Sequence, residues 1–341
     1  MRSLRSLTDL VRAEIERWDG VSVVERAVFG TPDPAEIAAM VDDLCGRALG
    51  AGIVGGLCYG TSVGCVAGVE LGDGRHVVVK AYQPRWSAGF LAAVAEAQAV
   101  AAAGGFPCPM PVAGPVEVGL GLGFANIETY LPDPGQPPIV PEMLPVSAAG
   151  LAEVARALRG VDGRGLAGHP MTLPSEGLYP TPHSPVFDFE ATQDGVEWID
   201  EIAAAARAAR DADPSPPVVM HGDWSARNVR LGRCRVMAAF DWDSLLWRPE
   251  SEAVGIAAAT WSALGVTGDP VAPSADEVRR YVDAYEAARG EPLLPEQRRA
   301  AHGSALYGLA YTARCEHALD RGGEVHMRAR ARLRMEGTTL L

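Results

Sequence analysis

"VVMHGDWSARNVRL", residues 218–231, sets a histidine, a glycine, a carboxylate and an amide between two short apolar runs. The β-branched runs at 218–220 and 229–231 read as short strands, so the polar residues fall on the connection between them. Asp223 and Asn228 stand five residues apart, and Asp241 follows Asn228 by thirteen, inside "FDWD" (240–243). The intervening "VRLGRCRVMAAF" reads as strand, turn and strand. Such a hairpin would return Asp241 to the loop that carries Asp223 and Asn228. Two carboxylates and one amide in one place suit an oxygen-ligated Mg²⁺ with a separate base. Mg²⁺ takes one or two carboxylates and completes its shell from water and substrate phosphates. Phosphoryl transfer needs a further carboxylate to orient the attacking hydroxyl and accept its proton. The competing reading is a plain turn whose Asp caps neighbouring backbone amides.

The spacing D-x-x-x-x-N followed by a second Asp is that of a kinase catalytic loop and metal aspartate. With His221-Gly222-Asp223, Asn228 and Phe240-Asp241-Trp242, the chain resembles the aminoglycoside phosphotransferase and choline kinase family of small-molecule kinases. There the loop reads H-G-D-x-x-x-x-N and the metal motif I-D-W or F-D-W. The resemblance implies an α+β, protein-kinase-like fold of two lobes: a small N-lobe with an antiparallel sheet and one helix, and a larger, mainly helical C-lobe. It implies that Asp223 is the base, that Asn228 and Asp241 hold Mg²⁺, and that His221 supports the loop. The phosphoryl donor is then ATP or GTP, bound between the lobes.

Other parts follow from the same resemblance. "HVVVKAY" (76–82) places Lys80 on a strand, and "FLAAVAEAQAV" (90–100) places Glu96 on the next helix. They stand where the kinase fold has a phosphate-contacting lysine and its orienting glutamate. "YGTSVGCV" (59–66) holds Gly60, Ser62 and Gly64, which suit close approach of backbone N–H groups to phosphate. It is neither G-x-G-x-x-G nor a Walker A sequence. "NIETYLPDPG" (126–135) resembles the segment that leads to the hinge, where backbone groups around Glu128, Thr129, Tyr130 and Leu131 would bond adenine. The resemblance spans residues 50–320. The first three dozen residues and the loop at 168–195 lie outside it.

Working outward, the pattern divides at the proline-rich run "PDPGQPP" (132–138). Residues 1–131 form a helical lead-in and a nucleotide-binding lobe, and 132–341 a helical lobe with the catalytic loop and acceptor site. Asp33 with Pro34 and Glu36 starts one helix. "GDG" (72–74) turns one strand into the next, while "PCPMPVAGPVEVGLG" (107–121) reads as a proline-broken connection. Residues 145–161, 194–212 and 295–319 read as helices, and Ser274 with Glu277 as a capping box.

At 341 residues the chain exceeds the usual limit of one compact core, and 48% hydrophobic with 21% charged residues is ordinary globular composition. A net charge of −13 disfavours binding to nucleic acid and favours cationic small molecules. Six cysteines at 45, 58, 65, 108, 234 and 315 form no C-x-x-C pair, which fits reduced thiols in the cytoplasm. The N-terminus lacks the apolar run of a signal peptide, and no apolar run reaches membrane-spanning length.

Carboxylates near an acceptor hydroxyl would favour an amine-bearing substrate such as an aminoglycoside, an amino sugar or choline. Asp243, Glu250, Glu252, Glu316 and Asp320 are the candidates in the helical half, with Asp188 and Glu190 in the long loop. The alternative function is a kinase-fold protein that binds nucleotide without turnover and acts as a regulator. No motif speaks to oligomeric state.

Overall fold

The computed structural model describes residues 5–170, 177–182, 187–263, 272–319 and 328–341. It divides into two compact units. The first takes the chain up to Ala102, then Pro109–Pro132, and recovers Gly168–Pro170 from later in the sequence.

Three helices open the first unit: α1 (Leu7–Arg17), α2 (Val23–Phe29) and α3 (Pro34–Leu49). Asp33 caps α3 by accepting from the N–H groups of Ala35 and Glu36, with Pro34 at the first helical position as expected. The strands are β1 (Ile53–Thr61), β2 (Gly64–Leu71), β3 (His76–Tyr82), β4 (Pro111–Glu117) and β5 (Phe124–Thr129), and α4 (Ala88–Ala103) lies between β3 and β4. All pairings are antiparallel, in the order β1-β2-β3-β5-β4.

The segment read as a proline-broken connection contains β4. Its place at the sheet edge explains the difference, because an edge strand can carry Pro111 and Pro115 where a central one cannot. The helices α1, α2 and α3 make up the helical lead-in.

The two faces of this sheet differ. Val77, Val79, Ala81, Ala125 and Ile127 lie on one face and are buried with Val11, Phe29, Ile37, Val41 and Leu44 of the three opening helices. Strand alternation therefore puts Lys80, Asn126 and Glu128 on the other face. Asn126 there donates to the carbonyl of Leu91 on α4, 3.0 Å away.

The second unit is mainly helical: α5 (Leu144–Ala157), α6 (Glu197–Arg210), α7 (Glu250–Thr260), α8 (Ala275–Arg289), α9 (Pro295–Leu319) and α10 (Ala329–Glu336). The capping box of Ser274 and Glu277 starts α8. α9 is the organising element, packed against both α6 and α7. Its approach to α7 is close: a Cβ on Gly255 would lie 2.2 Å from the carbonyl oxygen of Ala301, so only glycine fits.

Two hairpin-like pairs lie among the helices. β6 (Val218–His221) pairs with β9 (Leu245–Arg248), and β7 (Val229–Leu231) with β8 (Val236–Ala239). The apolar runs that flank the opening motif are thus both strands, but each pairs with a later strand and not with the other. The described parts of the long loop are pinned to α6 and α9. Tyr179 donates to Asp200, and Arg314 lies over the Phe189 ring at 4.5 Å.

Candidate active site

β6 ends at His221, and the loop that follows is held by hydrogen bonds at both ends. His221 is fully buried. Its Nε2 is 3.0 Å from the carbonyl of Phe240, which can only accept, so Nε2 carries the proton. Nδ1 then accepts from the backbone N–H of Asp223 at 3.3 Å, with the Ser244 hydroxyl oxygen 3.2 Å away. One imidazole therefore joins the "HGD" turn to "FDWDS".

Asp223 is half-buried, and Asn228 fixes it. The Nδ2 of Asn228 donates to Oδ2 of Asp223 at 2.8 Å and to its carbonyl at 3.1 Å. The amide nitrogen is spent on the carboxylate, which leaves Oδ1 as the donor atom suited to a cation. Arg227 brings its guanidinium to 3.8 Å from the same Oδ2, half exposed. The N–H of Phe240 donates to the carbonyl of Asn228 at 2.8 Å, which sets the two motifs side by side.

Asp241 takes φ 62° and ψ 49°, a left-handed conformation that is uncommon for a residue with a side chain. Such strain persists only where its surroundings impose it, and it collects at functional positions. Here the hydroxyl of Ser244 donates to the carbonyl of Asp241 at 2.7 Å, and the buried Trp242 donates to that of Ala239 at 3.1 Å. Trp224 is also buried, with its indole N–H on the carbonyl of Ser147 in α5. Trp242 and Trp261 are core residues as well.

Arg230, on β7, draws several parts together. It donates through Nε and Nη2 to both oxygens of Asp133, each at 2.7 Å, and through Nη1 to the carbonyls of Ala226 and Arg227. Its guanidinium lies 5.4 Å from the centre of the Phe240 ring. That bond holds the Asp133 carboxyl below the usual carboxylate range. Nothing in the composition of "NVRL" signals this role, because it depends on a partner 97 residues away.

Two of the acceptor candidates, Glu250 and Glu316, are engaged by other residues. Glu250 accepts from Tyr285 at 2.5 Å and from Arg289 at 2.8 Å. With Arg156, Arg159 and Arg289 it lines a cavity of about 700 Å³ that Asp223, Asn228 and Asp241 do not border. Glu316 is buried and accepts from the N–H groups of Ala329 and Arg330 at the start of α10, and burial pushes its carboxyl up. Asp243 is buried. Asp320 lies outside the described residues.

In the first unit, Gly60 and Ser62 stand at the tip of the β1–β2 hairpin. A side chain at Gly60 would meet open space, and the N–H of Ser62 is spent on the carbonyl of Gly64 at 2.9 Å. The N–H groups of Thr129 and Tyr130 are also spent, on the carbonyls of Met110 and His76. Lys80 is buried at 8% exposure, and the carboxylate of Glu128 lies 3.7 Å from it. The expected partner, Glu96, lies exposed on α4. The helix turns Phe90, Leu91, Val94, Ala97, Gln98 and Ala101 inward instead. Gln98 was missed, although its spacing from Leu91, Val94 and Ala101 is the signal of an inward position.

Residues 68–300 match the model of the phosphotransferase enzyme family known as APH. The chain belongs to this family. It is thus a small-molecule kinase that uses a nucleotide, on an α+β, protein-kinase-like fold. No curated protein matches it. Among solved structures it is similar to amicoumacin kinase hAmiN in complex with AMP-PNP, Ca²⁺ and Ami. That pair is 11% identical, with a TM-score of 0.51 over 85% of this chain and 88% of the other. It is also similar to the GDP and kanamycin complex of APH(2")-IIia, at 12% identity and a TM-score of 0.51 over 88% and 98%. Against aminoglycoside-3'-phosphotransferase of type VIII the identity is 20% and the TM-score 0.46, over 79% and 97%. At these identities the likeness is one of fold. Among the described residues no helix is long and apolar enough to cross a membrane.

Proposed function

We propose that this family member transfers the γ-phosphoryl group of ATP to a hydroxyl of a small, amine-bearing molecule, with Asp223 as base. The observation that carries the reading is the joined geometry of the two motifs. Asn228 fixes the Asp223 carboxylate at 2.8 Å, and His221 ties that loop to the segment carrying the strained Asp241. A structural turn needs no such strain.

In the reaction, the acceptor oxygen forms a bond to the γ-phosphorus while the bond to the β–γ bridging oxygen breaks. The hydroxyl proton passes to Asp223, and the nucleoside diphosphate leaves with the electron pair. Asp241 and Oδ1 of Asn228 fit a Mg²⁺ ion: one carboxylate and one amide oxygen, with nucleotide oxygens and water to complete the shell. Bound there, Mg²⁺ would neutralise charge that develops on the phosphates. Lys80 would contact the α- and β-phosphates. The amine preference of the acceptor rests on the net charge of −13, which raises the local concentration of cations. Occupied positions at Glu250 and Glu316 leave that preference to the field of the whole chain.

The test is Mg²⁺-dependent ATP consumption by the wild type and by Asp223→Asn, against aminoglycosides, amino sugars and choline. Turnover with at least one acceptor, lost in Asp223→Asn, is expected. Nucleotide binding without turnover on any acceptor would favour a regulator on the same fold.

A further inference from the structure

The geometry points to Glu128, held by Gln98, as the positioning residue for Lys80 in place of a glutamate on α4. This rests on the phosphotransfer reading, in which Lys80 meets the nucleotide phosphates.

Helix phase excludes Glu96. At about 100° per residue, Phe90, Leu91, Val94, Ala97, Gln98 and Ala101 fall within one arc, and Glu96 points roughly 200° from its centre. Turning Glu96 inward would rotate α4 by half a turn and carry Phe90, Leu91 and Val94 into water. Those side chains are 2% exposed or less, so the rotation is opposed by several fully buried apolar groups.

The sheet supplies the carboxylate instead. Lys80 on β3 pairs with Asn126 on β5, and Val78 pairs with Glu128, so Lys80 and Glu128 are diagonal neighbours on one face. Glu128 is 6% exposed and Gln98 3%. Gln98 uses both amide hydrogens: one on Oε2 of Glu128 at 2.8 Å, the other on the carbonyl of Pro109 at 2.9 Å. That fixes the amide orientation and turns Oε1 of Glu128 toward Lys80, 3.7 Å away. A buried carboxylate is costly without a cation, so the pair is coupled in both directions. An ammonium has three donors, so a contact with Glu128 does not exclude contacts with phosphate oxygens.

The placement has a functional consequence. In regulated kinases the lysine pairs with a glutamate on a mobile helix, so helix position controls the site. Here lysine and carboxylate sit on adjacent strands of one sheet. The lysine and its carboxylate stand on the sheet, and α4 contributes only the neutral amide of Gln98 that holds Glu128.

The probe is Mg²⁺·AMP-PNP, titrated calorimetrically into the full-length protein. Glu128→Gln is expected to weaken binding about tenfold, a change of one decade in Kd. Glu96→Gln stays within about twofold of wild type. Lys80→Ala weakens binding as Glu128→Gln does, and the double variant adds little, because the two residues act as one unit. Gln98→Glu with Glu128→Gln returns a carboxylate to the same buried network and regains most of the loss, which a steric role for Glu128 would not give. If Glu128→Gln fails to fold, Glu128→Asp keeps the charge but withdraws it by one methylene, and weaker binding is again expected. Dependence on Lys80 and Glu96 but not on Glu128 would overturn the assignment and leave the phosphotransfer reading standing. No binding by the wild type would remove both.

Discussion

Gly222→Ala tests whether the catalytic loop is held by close packing. A Cβ at Gly222 would lie 2.5 Å from Cγ and 2.6 Å from Cδ1 of Leu246, and 2.6 Å from the carbonyl oxygen of Ser244. Ordinary contacts between such atoms are about 3.5–4.0 Å, so relief needs a shift of roughly 1 Å. The Leu246 side chain can yield in part, but Ser244 contributes backbone. That carbonyl also accepts the N–H of Gly222 at 2.9 Å, so the loop cannot retreat without losing the bond. The methyl group is therefore expected to cost about 1–3 kcal/mol of stability through overpacking. Because the shift moves Asp223 relative to Asp241, it should also lower kcat, and a misplacement of about 1 Å is worth on the order of a hundredfold. Thermal unfolding and Mg²⁺-dependent ATP consumption with the best acceptor read the two effects. A variant with wild-type kcat and wild-type Tm would refute the reasoning.

Three further outcomes are expected. Arg230→Met keeps an apolar stem beside Phe240 but releases Asp133 and the carbonyls of Ala226 and Arg227; kcat should fall by about one to two decades, while an unchanged kcat would mean that the loop holds itself. Glu250→Gln should cost about 1–3 kcal/mol of stability by disturbing Tyr285 and Arg289, with the acceptor KM unchanged; a raised KM would return Glu250 to the acceptor site. Burial, then Arg298 and Arg279, hold the His302 imidazole down at about 4 from an ordinary 6.5, against a weaker upward pull from Asp283. Between those values the unfolded chain binds a proton that the folded chain refuses, so stability is full above about 6.5 and falls as pH drops toward 4. In urea titrations at pH 7 and pH 5, His302→Gln should lose less stability on acidification than the wild type, and an equal loss would contradict the assignment.

What the sequence made legible was local. The loop from His221 to Asn228, the return through a short hairpin to Asp241, the cap at Asp33 and the box at Ser274 all depend on residues a few positions apart, and each lies where its spacing implies. What stayed hidden depends on phase or on distant partners. Glu96 has the right charge in the right order, but its helical phase turns it outward. Glu250 and Glu316 are carboxylates of the kind an amine would seek, yet their partners are Arg289 and the start of α10. β4 was obscured because its prolines exclude a central strand and say nothing against an edge. The grip of Arg230 on Asp133 has no local signature at all.

The hydrogen bonds of the catalytic loop also indicate why it can act without rearrangement. Asp223 already receives the Asn228 amide, and its N–H already meets the His221 ring. His221 has both nitrogens engaged, so rotating the ring would break bonds to Phe240 and Asp223 together. On the proposed mechanism, the carboxylate that would accept the proton is therefore fixed before any substrate arrives. A preformed arrangement spares the reaction the cost of ordering these groups, which is a large part of what positioned catalysis contributes. The strain at Asp241 belongs to the same economy. An unconstrained loop would relax out of the left-handed region, but the Ser244 hydroxyl on the Asp241 carbonyl and the buried Trp242 beside it oppose that relaxation. Stability given up at that residue is recovered in the aromatic packing of His221, Trp224, Trp242 and Phe106 beneath the loop.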